Sequence, residues 1–333
     1  MPETLEGLVV ARAPGYFVVR SDDGATRLCV VRGRLRRART QSLRPALSQR
    51  GRPTRPRHGA DTPGEDDHEE PPTTIAVGDR VRFTPDGASG GAIEAILPRR
   101  NKLARAAAES REEQILLANL DLAVLVFAVA DPIPHFGLLD RYLVITEDAG
   151  IEALICFNKI DLGISTEIAD QLRIYADIGY EILLTSTVCP EGLAELDAHL
   201  RNRVALLTGP SGVGKSSLLN VIEPAAAQRV GEISLATGKG RHTTTGVRLF
   251  PLSDGGWLAD SAGIRELAPW RIDEDRLAEA FVEFRPYLDH CVYDDCTHEE
   301  DAEGCAVCEA VAEGGISLSR YDSYLHLRQN ISE

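Results

Sequence analysis

The sequence predicts a multidomain protein with an N-terminal β-barrel, a central α/β domain and a C-terminal helical region. Three observations support this prediction. Short strands separated by turns occur on either side of residues 37–73 within the first hundred residues, and apolar strands alternate with helical segments between residues 101 and 270. Beyond residue 271 the pattern is helical, interrupted by four cysteines within 18 residues. With 333 residues, the chain is long enough for several cores.

The N-terminal part, residues 1–100, reads as five short strands, and five strands at this spacing fit an OB-type barrel. Residues 37–73 are rich in Arg, Pro, Ser and Gly and then acidic, without a periodic apolar pattern, so we expect a disordered insertion there. The strands are expected around Leu8–Val10, Tyr16–Val19, Leu28–Val31, Ile75–Phe83 and Ala92–Leu97.

Charge is unevenly distributed along the chain. The formal net charge is −15, which argues against a protein that binds polyanions over its whole surface. Residues 1–60, however, carry 13 Arg against four acids. This excess indicates nucleic-acid contact at the N-terminal end, and a solvated charged tail is the alternative reading. No signal peptide or membrane span is recognisable, so we expect a cytoplasmic protein with no membrane contact.

The central region has the alternation of a doubly wound parallel sheet. Its strands are near-continuous apolar runs, as expected for strands covered on both faces, and helices are expected at about 136–149, 165–178 and 191–201. The predicted strands are Leu122–Val129, Ala153–Phe157, Glu181–Leu184, Val204–Leu207, Leu249–Phe250 and Gly256–Ala259.

A phosphate-binding loop follows the strand Val204–Leu207. Residues 209–216 fit GxxxxGK[ST], in which glycines let backbone N–H groups close around a phosphate. Lys215 would bring charge to the β- and γ-phosphates, and the Ser216 hydroxyl would bind Mg²⁺. Nucleotide contacts are expected from Gly209, Pro210, Ser211, Gly212, Val213, Gly214, Lys215, Ser216 and Ser217.

A guanine-recognition motif, NKxD, follows the strand Ala153–Phe157 and supplies Asn158, Lys159 and Asp161. A carboxylate at Asp161 can accept from the N1–H and N2–H of guanine, whereas adenine has no matching donors. Thr185 and Ser186 follow the next strand, Glu181–Leu184, in place for the loop that would back the base. Together with the phosphate loop, the motif favours GTP.

Two further motifs fit the switch regions of a GTPase. Asp260 and Gly263 belong to a DxxG sequence after the strand Gly256–Ala259, with Asp260 holding Mg²⁺ through water and Gly263 sensing the γ-phosphate. Between this motif and the phosphate loop lies a hydroxyl-rich stretch in which Thr244 would complete the Mg²⁺ coordination. The alternative for both is a simple turn.

The catalytic residue is harder to identify. Ile264 occupies the position where many GTPases carry a water-orienting Gln. Either intrinsic turnover is very slow or another group positions water, and His242 is the nearest candidate because its pKa suits such work. A loop histidine without a catalytic duty is the alternative. Lys215, Gly263 and His242 are therefore the expected catalytic residues.

The C-terminal cysteine cluster predicts one structural Zn²⁺. Cys291, Cys296, His298 and Cys305 offer three thiolates and an imidazole, the donor set of a closed tetrahedral site. Cys308 competes for the fourth place; Cys305 is preferred because the preceding Gly304 lets the backbone turn the thiol inward. Free surface thiols are the alternative.

The order of the motifs is the most specific feature. The base motif precedes the phosphate loop, the reverse of ordinary GTPases, so the chain reads as a circularly permuted P-loop GTPase domain over residues 101–270. With the GRHTTT stretch, DxxG and the Cys-x4-Cys-x-His cluster, it resembles the RsgA (YjeQ/EngC) family over about residues 3–36 and 74–315. Val77–Asp79 and Leu97–Arg100 also resemble that family's OB domain.

The resemblance implies a GTP hydrolase that assists late maturation of the small ribosomal subunit and is released after hydrolysis to GDP. It further implies that the OB domain and a zinc-binding helical domain, residues 271–333, both touch ribosomal RNA, with His242 at a matching position. We expect a monomer. Departures are Ala262 in place of the usual proline of DxxG, a longer spacing before Cys305, and the 37–73 insertion.

Two other functions fit parts of the sequence. An RNA-binding scaffold with a structural, rarely hydrolysed nucleotide would explain Ile264, although Lys215, Ser216 and Asp260 oppose it. An ATP-dependent enzyme with a zinc-stabilised lid is opposed by Asp161. The leading expectation is a ribosome-triggered GTPase.

Overall fold

The computed structural model describes residues 4–32, 74–106, 113–224, 247–259, 274–300 and 302–331. Two compact units are distinguished within the chain, Met1–Arg99 and Arg100–Glu333. The three-part division at residues 100 and 270 stays a prediction. The predicted insertion at 37–73 lies outside the described residues.

The first unit is a closed five-stranded barrel. Its strands follow the order β1-β2-β3-β5-β4, and β4 returns to pair with β1. All pairs are antiparallel except β3 with β5, which is parallel. Alternate residues such as Val9, Val19, Phe83 and Ile93 fill the interior, so the OB-type barrel is confirmed. The strands are β1 Leu5–Ala13, β2 Tyr16–Ser21, β3 Thr26–Val31, β4 Arg80–Asp86 and β5 Gly90–Ile96.

One predicted strand is shorter than expected. Ile75–Phe83 was expected to be continuous, but β4 begins only at Arg80. The buried Asp79 carboxylate accepts from the Ala76 amide at 2.7 Å and closes a turn there. It also receives two hydrogen bonds from Arg99, Nε to Oδ1 at 2.6 Å and Nη2 to Oδ2 at 2.7 Å. A bidentate pair of this kind is a strong and geometrically specific contact.

The second unit opens with a hairpin that the sequence analysis did not predict. Strands β6 (Lys102–Ala106) and β7 (Glu113–Ala118) pair antiparallel. Leu103 and Leu117 are the buried partners in this pair. Asn101 accepts from the Leu120 amide and donates to the Leu120 carbonyl, so the hairpin leads directly into the central sheet.

The central sheet has six strands in the order β10-β9-β8-β11-β13-β12. All neighbours are parallel except β12 and β13. The strands are β8 Leu122–Ala128, β9 Glu152–Asn158, β10 Glu181–Leu184, β11 Val204–Thr208, β12 Leu249–Pro251 and β13 Trp257–Ala259. The helices among them are α1 Phe136–Asp148, α2 Thr166–Asp177, α3 Leu193–Leu200 and α4 Lys215–Ile222.

Helices cover both faces of this sheet, as predicted. On one face Val124 and Val126 of β8 belong to the same apolar cluster as Leu196 of α3 and Leu218 of α4. On the other face the Phe127 ring packs against Tyr142 of α1, with ring centroids 6.3 Å apart. Strand β8 is fully buried, which explains its uninterrupted apolar sequence.

The C-terminal part is helical, with α5 Glu274–Leu277, α6 Arg285–Leu288, α7 Ala306–Ala312 and α8 Leu318–Ile331. Arg320 of α8 is buried and forms ion pairs with Asp140 of α1 and with Glu283. Asp140 also accepts from the hydroxyls of Tyr175 and Ser323. This buried charge cluster fastens α8 to the face of the sheet that α1 covers. None of the helices in the described part of the chain combines the length and the apolar sequence of a membrane span.

Candidate functional site

The phosphate loop lies at the carboxyl end of β11, beside β8. Gly209 has φ +144°, and a Cβ there would lie 2.0 Å from the Val126 carbonyl oxygen. Gly212 and Gly214 have φ values of +85° and +96°. No larger residue fits at Gly209 without moving β8, and the left-handed conformations favour glycine at the other two positions. The backbone conformation of the loop therefore explains why its sequence has glycine at these three positions.

Lys215 begins α4 and folds its side chain over the loop. Its Nζ donates to the carbonyl oxygens of Gly209 at 2.9 Å and Pro210 at 2.7 Å. Partial burial lowers the pKa of Lys215 below its ordinary value, because the charged form is less well solvated there. An anion in the loop would meet this ammonium group and the backbone N–H groups at the start of α4.

Asn158, at the end of β9, joins the base motif to the phosphate loop. Its buried amide donates from Nδ2 to the Val213 carbonyl at 2.9 Å. Its Oδ1 accepts from the Thr185 hydroxyl at 3.1 Å. A Cβ on Gly214 would lie 2.3 Å from the same Nδ2. The two motifs, 55 residues apart in sequence, are thus in direct contact.

The other members of the base motif surround the same end of the sheet. Lys159 has a left-handed backbone (φ +63°), and its Nζ donates to the Asp131 carbonyl. The Ser186 hydroxyl donates to Asp161 Oδ1 at 2.5 Å and accepts from the Cys189 amide at 3.1 Å. The carboxylate of Asp161 is therefore oriented by the loop that follows β10.

Part of the predicted site lies outside the described residues. Four of its members lie there: His242, Thr244, Asp260 and Gly263. The described residues therefore do not test their predicted contacts. Their roles in Mg²⁺ binding and catalysis stay predictions. Thr185 was expected in the loop that backs the base, in a short polar turn that is uninformative by itself. Its contact with Asn158 was missed, because a Thr-Ser pair after a strand carries no distinctive spacing.

The predicted zinc ligands converge. The ligand atoms of Cys291, Cys296, His298 and Cys305 all lie within 4.8 Å of one another. His298 Nδ1 is 3.6 Å from the sulfur of Cys291 and 3.5 Å from that of Cys305. Bonds of about 2.3 Å to sulfur and 2.0–2.1 Å to nitrogen at a tetrahedral angle place such atoms about 3.6 Å apart. The donor spacing therefore fits a tetrahedral zinc ion.

Cys308 lies beside this group. Its sulfur is 3.2 Å from the Glu299 carbonyl oxygen and 3.4 Å from the Tyr321 hydroxyl.

The predicted ligands are partly shielded from solvent and held by neighbouring side chains. Burial raises the pKa of the Cys305 thiol and lowers the pKa of the His298 imidazole. Thr297 and His298 are tied to α8, since the hydroxyls of Tyr321 and Tyr324 donate to the carbonyls of His298 and Thr297.

Comparison with known proteins gives consistent matches. A family model described as RsgA GTPase matches residues 96–270. A protein of Gemmatimonas aurantiaca, named small ribosomal subunit biogenesis GTPase RsgA, is 43% identical over 297 residues, covering 87% of this chain and 92% of the relative. A protein of the same name from Haemophilus influenzae is 43% identical over 268 residues, covering 78% and 77% of the two chains.

Solved structures agree with these matches. YjeQ from Thermotoga maritima aligns over 99% of both chains with a TM-score of 0.72 and 29% identity. YloQ, described as a circularly permuted GTPase, aligns over 99% of this chain and 96% of its own with a TM-score of 0.69 and 27% identity. The predicted fold class, a barrel followed by a permuted P-loop GTPase domain and a helical region with a zinc-type cluster, is confirmed. The chain belongs to the RsgA GTPase family.

Proposed function

We propose that this protein is a GTP hydrolase that binds the small ribosomal subunit, assists its late maturation and is released after hydrolysis. The observation that carries the proposal is the hydrogen bond from Asn158 to Val213, which joins the base and phosphate motifs into one site despite their reversed order. Family membership supports the partner, because the relatives are named for small-subunit biogenesis. Hydrolysis of GTP to GDP and phosphate is the activity of this family.

The guanine base is proposed to lie between Asn158, Lys159 and the Ser186-oriented carboxylate of Asp161, with Thr185 behind it. The phosphates are proposed to occupy the loop from Gly209 to Ser217. A GTPase site implies Mg²⁺, which neutralises charge developing on the phosphates. Ser216 and Thr244 are its proposed ligands, with Asp260 acting through water.

For hydrolysis, the Gly263 amide is proposed to contact the γ-phosphate, and His242 to position the attacking water. Lys215 would stabilise charge on the transferred group. Because Ile264 cannot orient water, we expect slow intrinsic turnover. Binding to the ribosomal subunit would then complete the catalytic arrangement.

The C-terminal cluster is proposed to hold one structural Zn²⁺ through Cys291, Cys296, His298 and Cys305. The support is the spacing of the donors and their chemistry, since three sulfurs and an imidazole leave no open position for a substrate. A zinc ion there would fix the loop that α8 already contacts. Measurement of one zinc per chain, lost on replacing Cys305 by Ser, tests this part of the proposal.

Ribosomal RNA is the proposed contact of the N-terminal unit. In the described barrel, Arg32, Arg80, Arg82 and Arg99 are paired with carboxylates. The sequence between residues 33 and 60, by contrast, contains nine Arg and no acid. This excess positive charge is therefore the main electrostatic support for binding RNA phosphates. A cytoplasmic location and a monomeric state complete the proposal.

The first experiment is GTP turnover by the purified protein with and without small ribosomal subunits. Lys215→Ala serves as the blank. Strong stimulation that disappears in the blank is the expected result, and His242→Ala would then be compared with it. Competition with ATP should leave GTP turnover unchanged, whereas effective competition would favour the ATP-dependent enzyme that the base motif opposes.

One alternative has an observation in its favour. Ile264 replaces the water-orienting residue, which fits an RNA-binding scaffold whose nucleotide is structural. Tight GTP binding without stimulation by small subunits would support the scaffold and contradict the proposed hydrolase.

A further inference from the structure

Cys305 and Cys308 form a Cys-x-x-Cys pair that the zinc site does not fully use. Cys305 directly precedes α7, and Cys308 lies in the first turn of that helix. The Cys308 amide donates to the Cys305 sulfur at 3.4 Å. Residues three apart on a helix have Cα atoms about 5 Å apart. This separation lies within the range of about 4.4–6.8 Å that a disulfide spans.

The two sulfurs differ in accessibility. Cys305 is 2% exposed, whereas Cys308 is only partly buried. The Cys308 sulfur contacts the Glu299 carbonyl and the Tyr321 hydroxyl, so it lies at the edge of the zinc-type cluster and not within it. A small oxidant would therefore reach Cys308 before Cys305.

We propose that Cys308 is an oxidation site for hydrogen peroxide and that Cys305 resolves it by forming a Cys305–Cys308 disulfide. Formation of the disulfide does not depend on the proposed zinc site. Its expected effect does, because a disulfide would remove Cys305 from the four donors and release the zinc ion. In a reducing compartment, a disulfide of this kind is transient and serves redox sensing.

The chemistry balances in two steps. The Cys308 thiol reacts with H₂O₂, the O–O bond breaks, and the products are the Cys308 sulfenic acid and water. The Cys305 sulfur then attacks the Cys308 sulfur and the S–O bond breaks. The S–S bond forms, and the leaving oxygen departs as water with the proton of the Cys305 thiol. The protein loses two electrons, and both peroxide oxygens end at the oxidation level of water.

The pairing of Cys308 with Cys305 also determines whether oxidation of Cys308 can be reversed. A sulfenic acid with a neighbouring thiol forms a disulfide, which thiol reductants reverse. Without that neighbour, continued oxidation leads to sulfinic acid, which they do not reverse. The pair therefore makes oxidation of the cluster reversible.

The test uses the full reduced chain, with its zinc content measured first. Peroxide is added at a few equivalents, zinc release is followed with a colorimetric chelator, and peptides are mapped by mass spectrometry. In the wild type, the peptide that contains both Cys305 and Cys308 should lose about 2 Da, the mass of two hydrogens, as the disulfide forms. The protein should release zinc and should bind it again after dithiothreitol is added. Cys308→Ser should release zinc several-fold more slowly and should not recover fully.

Cys189→Ser is the matched control, because Cys189 is an exposed thiol remote from the cluster in sequence. It should behave as the wild type does. Equal release rates and equal recovery in the wild type and Cys308→Ser, or disulfides that omit this pair, would overturn the inference. Absence of zinc from the reduced protein would instead contradict the proposed metal site, and the peptide map would still decide whether the disulfide forms.

Discussion

The side-chain amide of Asn158 donates to the main-chain carbonyl of Val213 across 2.9 Å. Asn158 ends strand β9, and Val213 lies in the loop after β11, with β8 between the two strands in the sheet. One buried hydrogen bond therefore joins the motif proposed to recognise the base to the loop proposed to bind the phosphates. Substitutions at Gly214 and Thr185, which both contact the Asn158 side chain, should therefore disturb this arrangement.

Gly214→Ala should weaken binding of GDP and GTP by at least about tenfold, equivalent to about 1.4 kcal/mol. The new Cβ would lie 2.3 Å from Asn158 Nδ2, at a backbone φ of +96°. Either Asn158 or the loop must move. Titration with a fluorescent guanine nucleotide measures the effect.

Gly179→Ala is the control for this substitution, since its φ is +99° and nothing lies within 4 Å of its added Cβ. It incurs the same type of backbone strain without a clash. Nucleotide affinity should be unchanged in this variant, and an equal loss of affinity in both would show that the contact with Asn158 is unimportant.

Thr185→Val should destabilise the second unit by about 1–3 kcal/mol, because it leaves the buried Asn158 Oδ1 without its hydroxyl donor. Thr185→Ser retains the hydroxyl and should cost less. Denaturant unfolding followed by circular dichroism compares the two variants. An unchanged free energy of unfolding in Thr185→Val would show that this hydrogen bond contributes little to stability.

Nucleotide affinity should decrease as the pH rises, starting below the ordinary lysine pKa of about 10.4. Burial lowers the pKa of Lys215, and phosphate binding favours its charged form. Binding above the folded-state pKa therefore takes up a proton, and affinity falls as the pH passes through that value. Titrations with GDP from pH 7 to pH 10 measure the dependence.

Lys215→Arg is the corresponding control. An arginine stays charged throughout this range, so the part of the pH dependence due to residue 215 should vanish even if affinity is lower. An unchanged pH profile in this variant would assign the titration to another group.

Arg320→Met should lower the melting temperature of the second unit by about 10 °C. The substitution leaves Asp140 and Glu283 buried without their cation, which costs about 3–5 kcal/mol. Arg201→Met is the comparison, because Arg201 pairs with Asp197 and Asp254 at the surface and should matter little. Scanning calorimetry distinguishes them, and a small effect at Arg320 would contradict the buried cluster's proposed importance.

The sheet and the backbone of the phosphate loop could be predicted because their signals are local. An uninterrupted apolar run such as Leu122–Ala128 has few alternatives to a buried strand, and the three glycines of the phosphate loop have strict backbone requirements. The zinc-type cluster was predictable for the same reason, since its donors lie within fifteen residues.

Features that depend on distant partners were not predictable in this way. Nothing near Arg320 in sequence indicates that it will be buried against Asp140, 180 residues earlier. The hairpin β6–β7 was missed because its strands are short and its sequence lacks a two-residue turn signal. Asp79 shortened a predicted strand, because its carboxylate accepts from the Ala76 amide and closes a turn before β4.

The permuted strand order also has a consequence for how the chain folds during synthesis. Strands β8, β9 and β10 are neighbours in the sheet and consecutive in sequence, and α1 and α2 connect them. The part of the sheet formed by β8, β9 and β10, which would recognise the base, can therefore form before β11 has been translated. Contacts between elements close in sequence form fast. The phosphate loop arrives later and closes against a strand edge that already exists. Nascent protein would thus acquire a partial, nucleotide-free sheet first, and GTP could bind only after most of the chain had left the ribosome.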